Sequence, residues 1–408
     1  MMHMVLYIDP GTGSMLFTVL LGILGFLVYF VRILWIKVKF VLTKGRVDKM
    51  KENKIPLLIF AEERRYWQVF KPICEELNRR GVDFYYWTSS QDDPALSADL
   101  EHMNAEYIGS GNKAFAKLNV VSASVVVSTT PGLDVYQWKR SKTSDYYIHV
   151  LHGVYDPASY RMFGISFFDE ILLSGQFQVD QVRFLEEKTG SPRKEAKIVG
   201  IPYMDELKKR SDSLPDAPKD NKVILLAPSW GPNSIFNKYG TRVLESLTQT
   251  GYDIIVRPHP QSFVSEKEMI EGIMKKYPES DHLKWDRSSD NFESLSKADI
   301  IISDFSGVML DYSLVFDRPV IYAKIDFEPA CYDYYWLEDL PWRLKILPDI
   351  GVELKEEHLD DIKSLIDSCI DDPRFAEGRK KVRSEAWANI GEGAKYTVDC
   401  ILERVDGK

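Results

Sequence analysis

Two histidines stand where a sequence can aim an imidazole. His152 follows the apolar run Tyr146–Leu151 and precedes Gly153, and His259 lies between Pro258 and Pro260 after the run Asp253–Val256. An imidazole of ordinary pKa, about 6.5, can take a proton from a hydroxyl or stabilise an anion. The two prolines fix φ on either side of His259 and stiffen its loop. A third stretch, Ser303-Asp304-Phe305-Ser306-Gly307, follows the strand-like Asp299–Ile302 and precedes an apolar helical pattern. The first turn of such a helix offers free N–H groups and partial positive charge, which suits a phosphate. Gly307 would let the backbone approach an anion, and Ser303 and Ser306 would add hydroxyls. Each feature also has a purely local reading. A histidine can cap a strand, and Ser and Asp belong at helix starts as N-caps. Arg257 suits either a phosphate or a carboxylate, and Ser229-Trp230 ends a strand where the indole either stacks on a base or packs. His149, inside its strand, reads as structural.

Apolar runs alternating with helical patterns must position these residues. Pro56–Phe60, Val82–Thr88, Glu106–Ile108, Ser124–Ser128, Tyr146–Leu151, Glu170–Leu173 and Lys197–Val199 read as strands, with helices over 62–80 and 178–187. A second series has strands at Val223–Ala227, Asp253–Val256, Asp299–Ile302 and Val320–Tyr322, and a helix around Thr241–Gln249. Helical segments run from His358 to Arg404, with breaks near Asp371–Pro373 and Gly391–Gly393. Such alternation predicts an α/β chain with two doubly wound, Rossmann-like parallel sheets. The stretch SDSLPDAPKDN, Ser211–Asn221, has linker composition and marks the boundary. The expected divisions are an anchor and basic linker over 1–50, one Rossmann-like domain over 51–210, and another with the terminal helices over 211–408. In open α/β sheets ligands bind outside the carboxyl ends of the strands, so the residues just after each apolar run are the ones to search.

The formal net charge of -9, without a long basic run, argues against a nucleic-acid partner. Cys74, Cys331, Cys369 and Cys400 are far apart, with no metal spacing, and read as buried reduced thiols. Met15–Val31 carries no charge and, extended to Trp35, is long enough to cross a bilayer. Lys37, Lys39, Lys44 and Arg46 follow it, so the positive-inside bias predicts a single pass with the later domains in the cytoplasm. A re-entrant or interfacial anchor is the alternative. The aromatic stretch Cys331–Trp342 is expected to pack at the domain interface; its rival role is a lid.

The stretch Ala298–Ala323 resembles the signature of the CDP-glycerol glycerophosphotransferase family, which builds poly(glycerol phosphate) and related teichoic-acid chains. Ser303, Asp304, Phe305 and Ser306 match it, as do Asp311, Arg318 and Pro319. His152-Gly153, the Gly200–Asp205 stretch GIPYMD, the Ala227–Trp230 stretch APSW and His259 in RPHP are similar to further motifs of that family, in the same order. The resemblance spans about residues 145 to 403. It implies a GT-B fold and a membrane-associated transferase that moves a polyol phosphate from a CDP-linked donor to a polymeric or lipid-linked envelope acceptor. It also implies His152 as base, and His259 with Ser303, Asp304, Ser306, Gly307, Arg257, Ser229 and Trp230 on the donor side; no tightly bound cofactor and no set of metal ligands is expected from the sequence. Two departures stand out. Gly307 replaces a serine, and the family's His-Gly-Thr-Pro-Leu-Lys reads His-Gly-Val-Tyr-Asp-Pro here, which leaves Gly153 and Arg161 as the acceptor-side residues. The rival readings are a GT-B glycosyltransferase using a nucleotide sugar and an inactive membrane-bound scaffold.

Overall fold

Parallel strands covered on both faces read as unbroken apolar runs. In the computed structural model of this chain Leu57–Ala61, Val125–Val127, Ile171–Leu173, Ile224–Leu226 and Ile300–Ile302 are all buried. The structure describes residues 54–407, except 216–219, 289, 305 and 325–327, together with Phe26, Leu27, Phe30 and Val31. Among the described residues seven strands form the first sheet: β1 (Ile55–Ala61), β2 (Phe84–Thr88), β3 (Met103–Tyr107), β4 (Ala123–Ser128), β5 (Tyr146–Val150), β6 (Glu170–Leu173) and β7 (Glu195–Ile198). Their order is β3-β2-β1-β4-β5-β6-β7. The second sheet comprises β8 (Val223–Ala227), β9 (Asp253–Val256), β10 (Leu283–Trp285), β11 (Ile300–Ser303), β12 (Val320–Ala323) and β13 (Gly351–Leu354). It runs β10-β9-β8-β11-β12-β13. All neighbouring pairs are parallel. Strand order reverses between β1 and β4 and between β8 and β11, which opens a crevice at the carboxyl edge of each sheet.

Two strands, β10 and β13, were not among those expected. Both are short edge strands with a charged residue inside, Lys284 and Glu353, so neither shows the apolar run of a central strand. The helix expected over 62–80 begins only at Trp67, after a 3-10 turn at Arg64–Tyr66. Glu62 and Glu63 therefore belong to the turn at the edge of the first sheet, and that turn carries Arg65.

Each sheet is packed on both faces, giving four main apolar clusters. The terminal helix Gly393–Val405 does not stay with the second sheet. Its Val398 and Ile401 join the core beside Ile73, Leu77 and Val150 of the first. To get there the chain at 385–388 crosses β6 and β7 closely, with Ala388 N–H donating to Ser174 O at 2.8 Å. Gly200 permits the crossing: its φ is +95°, and a Cβ there would meet Ala388 O at 2.5 Å. Asp205 completes the joint by accepting from Gly391 N–H, Gly393 N–H and Trp387 Nε1–H. The family-like GIPYMD stretch thus works as a brace for the returning chain.

Residues 55–408 form one unit and residues 1–54 another. Within the latter, Phe26, Leu27, Phe30 and Val31 are helical and exposed, with Phe26 and Phe30 stacked at 6.3 Å. Among the described residues no helix is long and apolar enough to cross a membrane. The expected span Met15–Val31 and the basic residues behind it lie, apart from those four, outside the described residues. Cys74 and Cys369 are buried free thiols and Cys400 is half-buried, but Cys331 is exposed, ahead of the 3-10 turn Asp333–Trp336.

Candidate active site

His152 leaves the end of β5 and turns back under a close-packed group of hydroxyls. Its Nδ1 lies 2.6 Å from Tyr155 Oη and 2.8 Å from Thr129 Oγ1, and its backbone N–H donates to Tyr155 Oη at 3.3 Å. Gly153 makes this fold possible, because a Cβ there would meet the Tyr155 ring at 2.9 Å. The Tyr66 ring packs edge-on against the imidazole, with centroids 5.2 Å apart. Val154 points the other way, into the apolar cluster under the second sheet, and so ties the His152 loop to both halves of the unit. Burial, helped by the Arg65 charge, pushes the His152 pKa down to about 3, so the ring is neutral at pH 7.

His259 sits after β9, with its backbone N–H donating to Pro228 O at 3.1 Å. Its Nδ1 accepts the N–H of Gln261 at 3.1 Å. A neutral ring whose Nδ1 accepts must carry its proton on Nε2, so His259 presents an Nε2–H donor. Its pKa is also lowered, first by burial and then by Arg65. Arg65 thus acts on both imidazoles, one from each sheet. It lies on the turn after β1, paired with Glu63 at 2.9 Å, and its guanidinium sits 5.0 Å from the Tyr66 ring centroid. Glu62 on the same turn has a raised pKa, mainly through burial.

At the crevice of the second sheet the expected donor-side residues divide. Ser306 and Gly307 open the helix Val308–Phe316, with Gly307 as its N-cap and exposed. Among the described residues, a Cβ on Gly307 would meet nothing within 4 Å, so they leave room beside the helix's first turn. Trp230 is 47% exposed, with its indole available to a ligand. Ser229 is buried, and its Oγ has no partner. Ser303 and Asp304 lie beneath the site. Ser303 Oγ donates to Ala227 O, and the Asp304 carboxylate accepts the N–H groups of Ser229 and Ile235. Both are buried because a strand end deep in a parallel sheet must satisfy its polar groups internally. Arg257 is likewise committed, to Asp286 and to Ser288 O at 2.8 Å. Phe305 lies outside the described residues.

On the acceptor side, Arg161 is exposed and forms an antiparallel bridge with Tyr332. The aromatic stretch packs as expected at the joint between the halves. Tyr334 buries against Ala158 and Leu185, and Trp342 stacks on Phe177 with centroids 3.9 Å apart. Asp156 fastens the joint by accepting from the N–H groups of Trp342 and Arg343. Asp311, a motif residue, accepts from Tyr203 Oη–H at 2.9 Å, and burial pushes its pKa up to about 6. Sequence reading missed Arg65, Thr129 and Tyr155. The position of Arg65 just after an apolar strand was a usable signal; the roles of Thr129 and Tyr155 depend on how the chain folds back. Among the described residues no group of three His, Cys, Asp or Glu could hold a metal ion.

Two parallel, doubly wound sheets, each bringing a histidine to its carboxyl edge, define a GT-B type of protein. Residues 173–344 match the family described as CDP-Glycerol:Poly(glycerophosphate) glycerophosphotransferase, the family whose signature the sequence resembles. No curated protein matches by sequence. Among solved structures the chain is similar to the wall teichoic acid polymerase TagF, with a TM-score of 0.55 and 18% identity over 88% of this chain and 91% of that one. TagF soaked with CDPG aligns with a TM-score of 0.57 and 17% identity, over 88% and 90% of the two chains. The UDP-GlcNAc 2-epimerase from Neisseria meningitidis shares the fold at a TM-score of 0.53 and 14% identity, over 85% and 99%.

Proposed function

We propose that this protein transfers glycerol phosphate from CDP-glycerol to a hydroxyl of a poly(glycerophosphate) or lipid-linked envelope acceptor, releasing CMP. The observation that carries this reading is that His152 after β5 and His259 after β9 each stand at the carboxyl edge of a different sheet, with the Arg65 charge helping to lower the pKa of both. A diphosphate between the sheets would meet the Arg65 cation, the His259 Nε2–H and the N-terminus of Val308–Phe316, while Trp230 offers a face to the cytosine. The acceptor oxygen attacks the β-phosphorus as the bond to the CMP oxygen breaks. The acceptor's proton passes to His152 Nε2, and His259 and Arg65 stabilise charge on the phosphates.

Burial and Arg65 hold His152 neutral, so it is free to accept a proton. A bound diphosphate offsets the Arg65 charge and raises the proton affinity of His152 when the acceptor needs it. The family match over residues 173–344 and the structural likeness to a TagF form soaked with CDPG support the choice of donor. The uncharged stretch Met15–Val31 and the basic residues after it support membrane anchoring with the transferase on the cytoplasmic side.

The test is nucleotide release by purified full-length protein given CDP-glycerol, CDP-ribitol or UDP- and GDP-sugars, with and without a poly(glycerophosphate) primer. Primer-dependent CMP from CDP-glycerol is expected. A nucleoside diphosphate from a nucleotide sugar would put a glycosyltransferase in its place.

A further inference from the structure

His152 is held by a chain of hydroxyls that runs from the edge of the first sheet into its core. Tyr155 Oη, 2.6 Å from His152 Nδ1, is 3.1 Å from Tyr160 Oη, which in turn lies 3.0 Å from His149 Nε2. His149 is wholly buried, and its Nδ1 has no partner. The proton positions can be worked out from the buried end. An unpartnered lone pair is tolerated in a core more readily than an unpartnered N–H, so the neutral His149 carries its proton on Nε2 and donates to Tyr160 Oη.

Tyr155 then has two oxygen lone pairs, a proton and three neighbours. The His152 backbone N–H occupies one lone pair. If the Tyr155 proton goes to Tyr160, the remaining lone pair faces His152 Nδ1 and requires a proton there. The opposite order, with Tyr160 donating to Tyr155 and Tyr155 to Nδ1, would leave the proton on Nε2. The second hydroxyl distinguishes them. Thr129 Oγ1 is also only 2.8 Å from Nδ1. A ring nitrogen has one in-plane lone pair and can accept one good hydrogen bond, whereas an N–H can be shared between two oxygens.

We propose that Tyr155, together with Thr129, is a positioning residue that keeps the proton of His152 on Nδ1 and leaves Nε2 bare to act as base. It fills the place that a carboxylate holds behind a catalytic histidine, without burying a second charge. When Nε2 takes the acceptor's proton, the Nδ1–H becomes a stronger donor to two oxygens already in place. From the turn packed against it, the ring is faced by the Tyr66 phenol, which meets it edge to ring, and by the Arg65 guanidinium, which has no acceptor, so neither takes the Nδ1 proton in their place. Tyr155 stands where the related family carries proline, so this device belongs to the chain's own departure from that pattern. The inference rests on His152 being the base of the transfer.

The direct test is the tautomer of His152 in full-length, 15N-histidine-labelled protein, read from long-range 1H–15N correlations and assigned by their loss in His152→Ala. The expected wild-type result at neutral pH is a protonated Nδ1 and a bare Nε2. Tyr155→Phe, which keeps the ring and removes only the hydroxyl, should mix the tautomers. It should lower kcat by about 10-fold or more, short of the 10²–10⁴-fold effect of losing a general base, with the KM for CDP-glycerol unchanged. A wild-type proton on Nε2 would overturn the inference, as would a Tyr155→Phe protein with unaltered tautomer and kcat. The wild-type spectrum needs no turnover, and its assignment needs only that His152→Ala folds, whatever becomes of Tyr155→Phe. A chain that releases no CMP from CDP-glycerol while His152 is protonated on Nδ1 would refute the transferase reading and keep the tautomer assignment.

Discussion

Asp304 accepts the backbone N–H of Ser229 through both carboxylate oxygens, at 3.2 and 3.0 Å, and so joins the end of β11 to the end of β8. The same carboxylate accepts Ile235 N–H at 3.1 Å, which closes the loop that displays Trp230. A motif aspartate at the crevice thus shapes the site by holding backbone. Asp304→Ala leaves buried N–H groups without an acceptor, and the expected loss is about 1–3 kcal/mol in urea unfolding, together with weaker CDP-glycerol binding. Full stability in the variant would show that the carboxylate is not what holds this loop.

Arg65→Ala should leave the fold intact, since the side chain is mostly exposed and its contacts with Glu63 and Tyr66 lie within its own turn. Its expected effects are weaker CDP-glycerol affinity and a displaced pH profile. Both histidines lie below their ordinary pKa partly because of this cation, so its removal raises them. The acid limb of kcat/KM should therefore move to higher pH in Arg65→Ala. An unmoved limb would remove Arg65 from the site.

The two histidines should separate by substrate. His152→Ala is expected to lower turnover by about 10²–10⁴-fold and leave CDP-glycerol affinity nearly unchanged, because its partner is the acceptor hydroxyl. His259→Ala should lower both, with a rate loss of about 10²–10³-fold. Titration calorimetry with CDP-glycerol distinguishes them, and the reverse pattern would exchange their roles.

Ser306→Leu places a branched apolar side chain beside the open start of the helix Val308–Phe316. Donor affinity should fall while the melting temperature holds, because Ser306 is only partly buried. Unchanged affinity in a folded variant would take the phosphate away from that helix end.

Acid should destabilise the protein through His149. Burial pushes its pKa down to about 3, so the folded state keeps it neutral while the unfolded chain takes up a proton below about 6.5. That contribution is complete above pH 6.5 and is lost as pH falls towards 3, by up to about 1.4 kcal/mol per pH unit. Asp311 and Asp333, raised to about 6, act in the opposite direction as they protonate. The informative quantity is therefore the difference between wild type and His149→Gln in denaturant titrations from pH 7 to 5. That difference should shrink as pH falls; parallel curves would place the histidine's proton elsewhere.

Composition and spacing alone determined the alternation of strands and helices, because central parallel strands need apolar side chains on both faces. Runs such as Ile300–Ile302 and Val223–Ala227 show this without reference to any partner. The same logic placed His152, His259 and Ser306 after strands, where a parallel sheet opens to ligands. Sequence could not supply what depends on contacts between distant segments. The edge strands β10 and β13 are defined by hydrogen bonds to neighbours rather than by their own three or four residues. The return of Gly393–Val405 to the first sheet depends on the close crossing at Gly200. Ser303, Asp304 and Arg257 carry the right chemistry for a phosphate, yet the tertiary structure gives them backbone groups and Asp286 to bind. A buried polar group must find a partner within the fold, and which partner it finds is decided by packing. Tyr155 is the converse case: an ordinary tyrosine in the sequence, it reaches His152 only because Gly153 lets the chain turn back on itself.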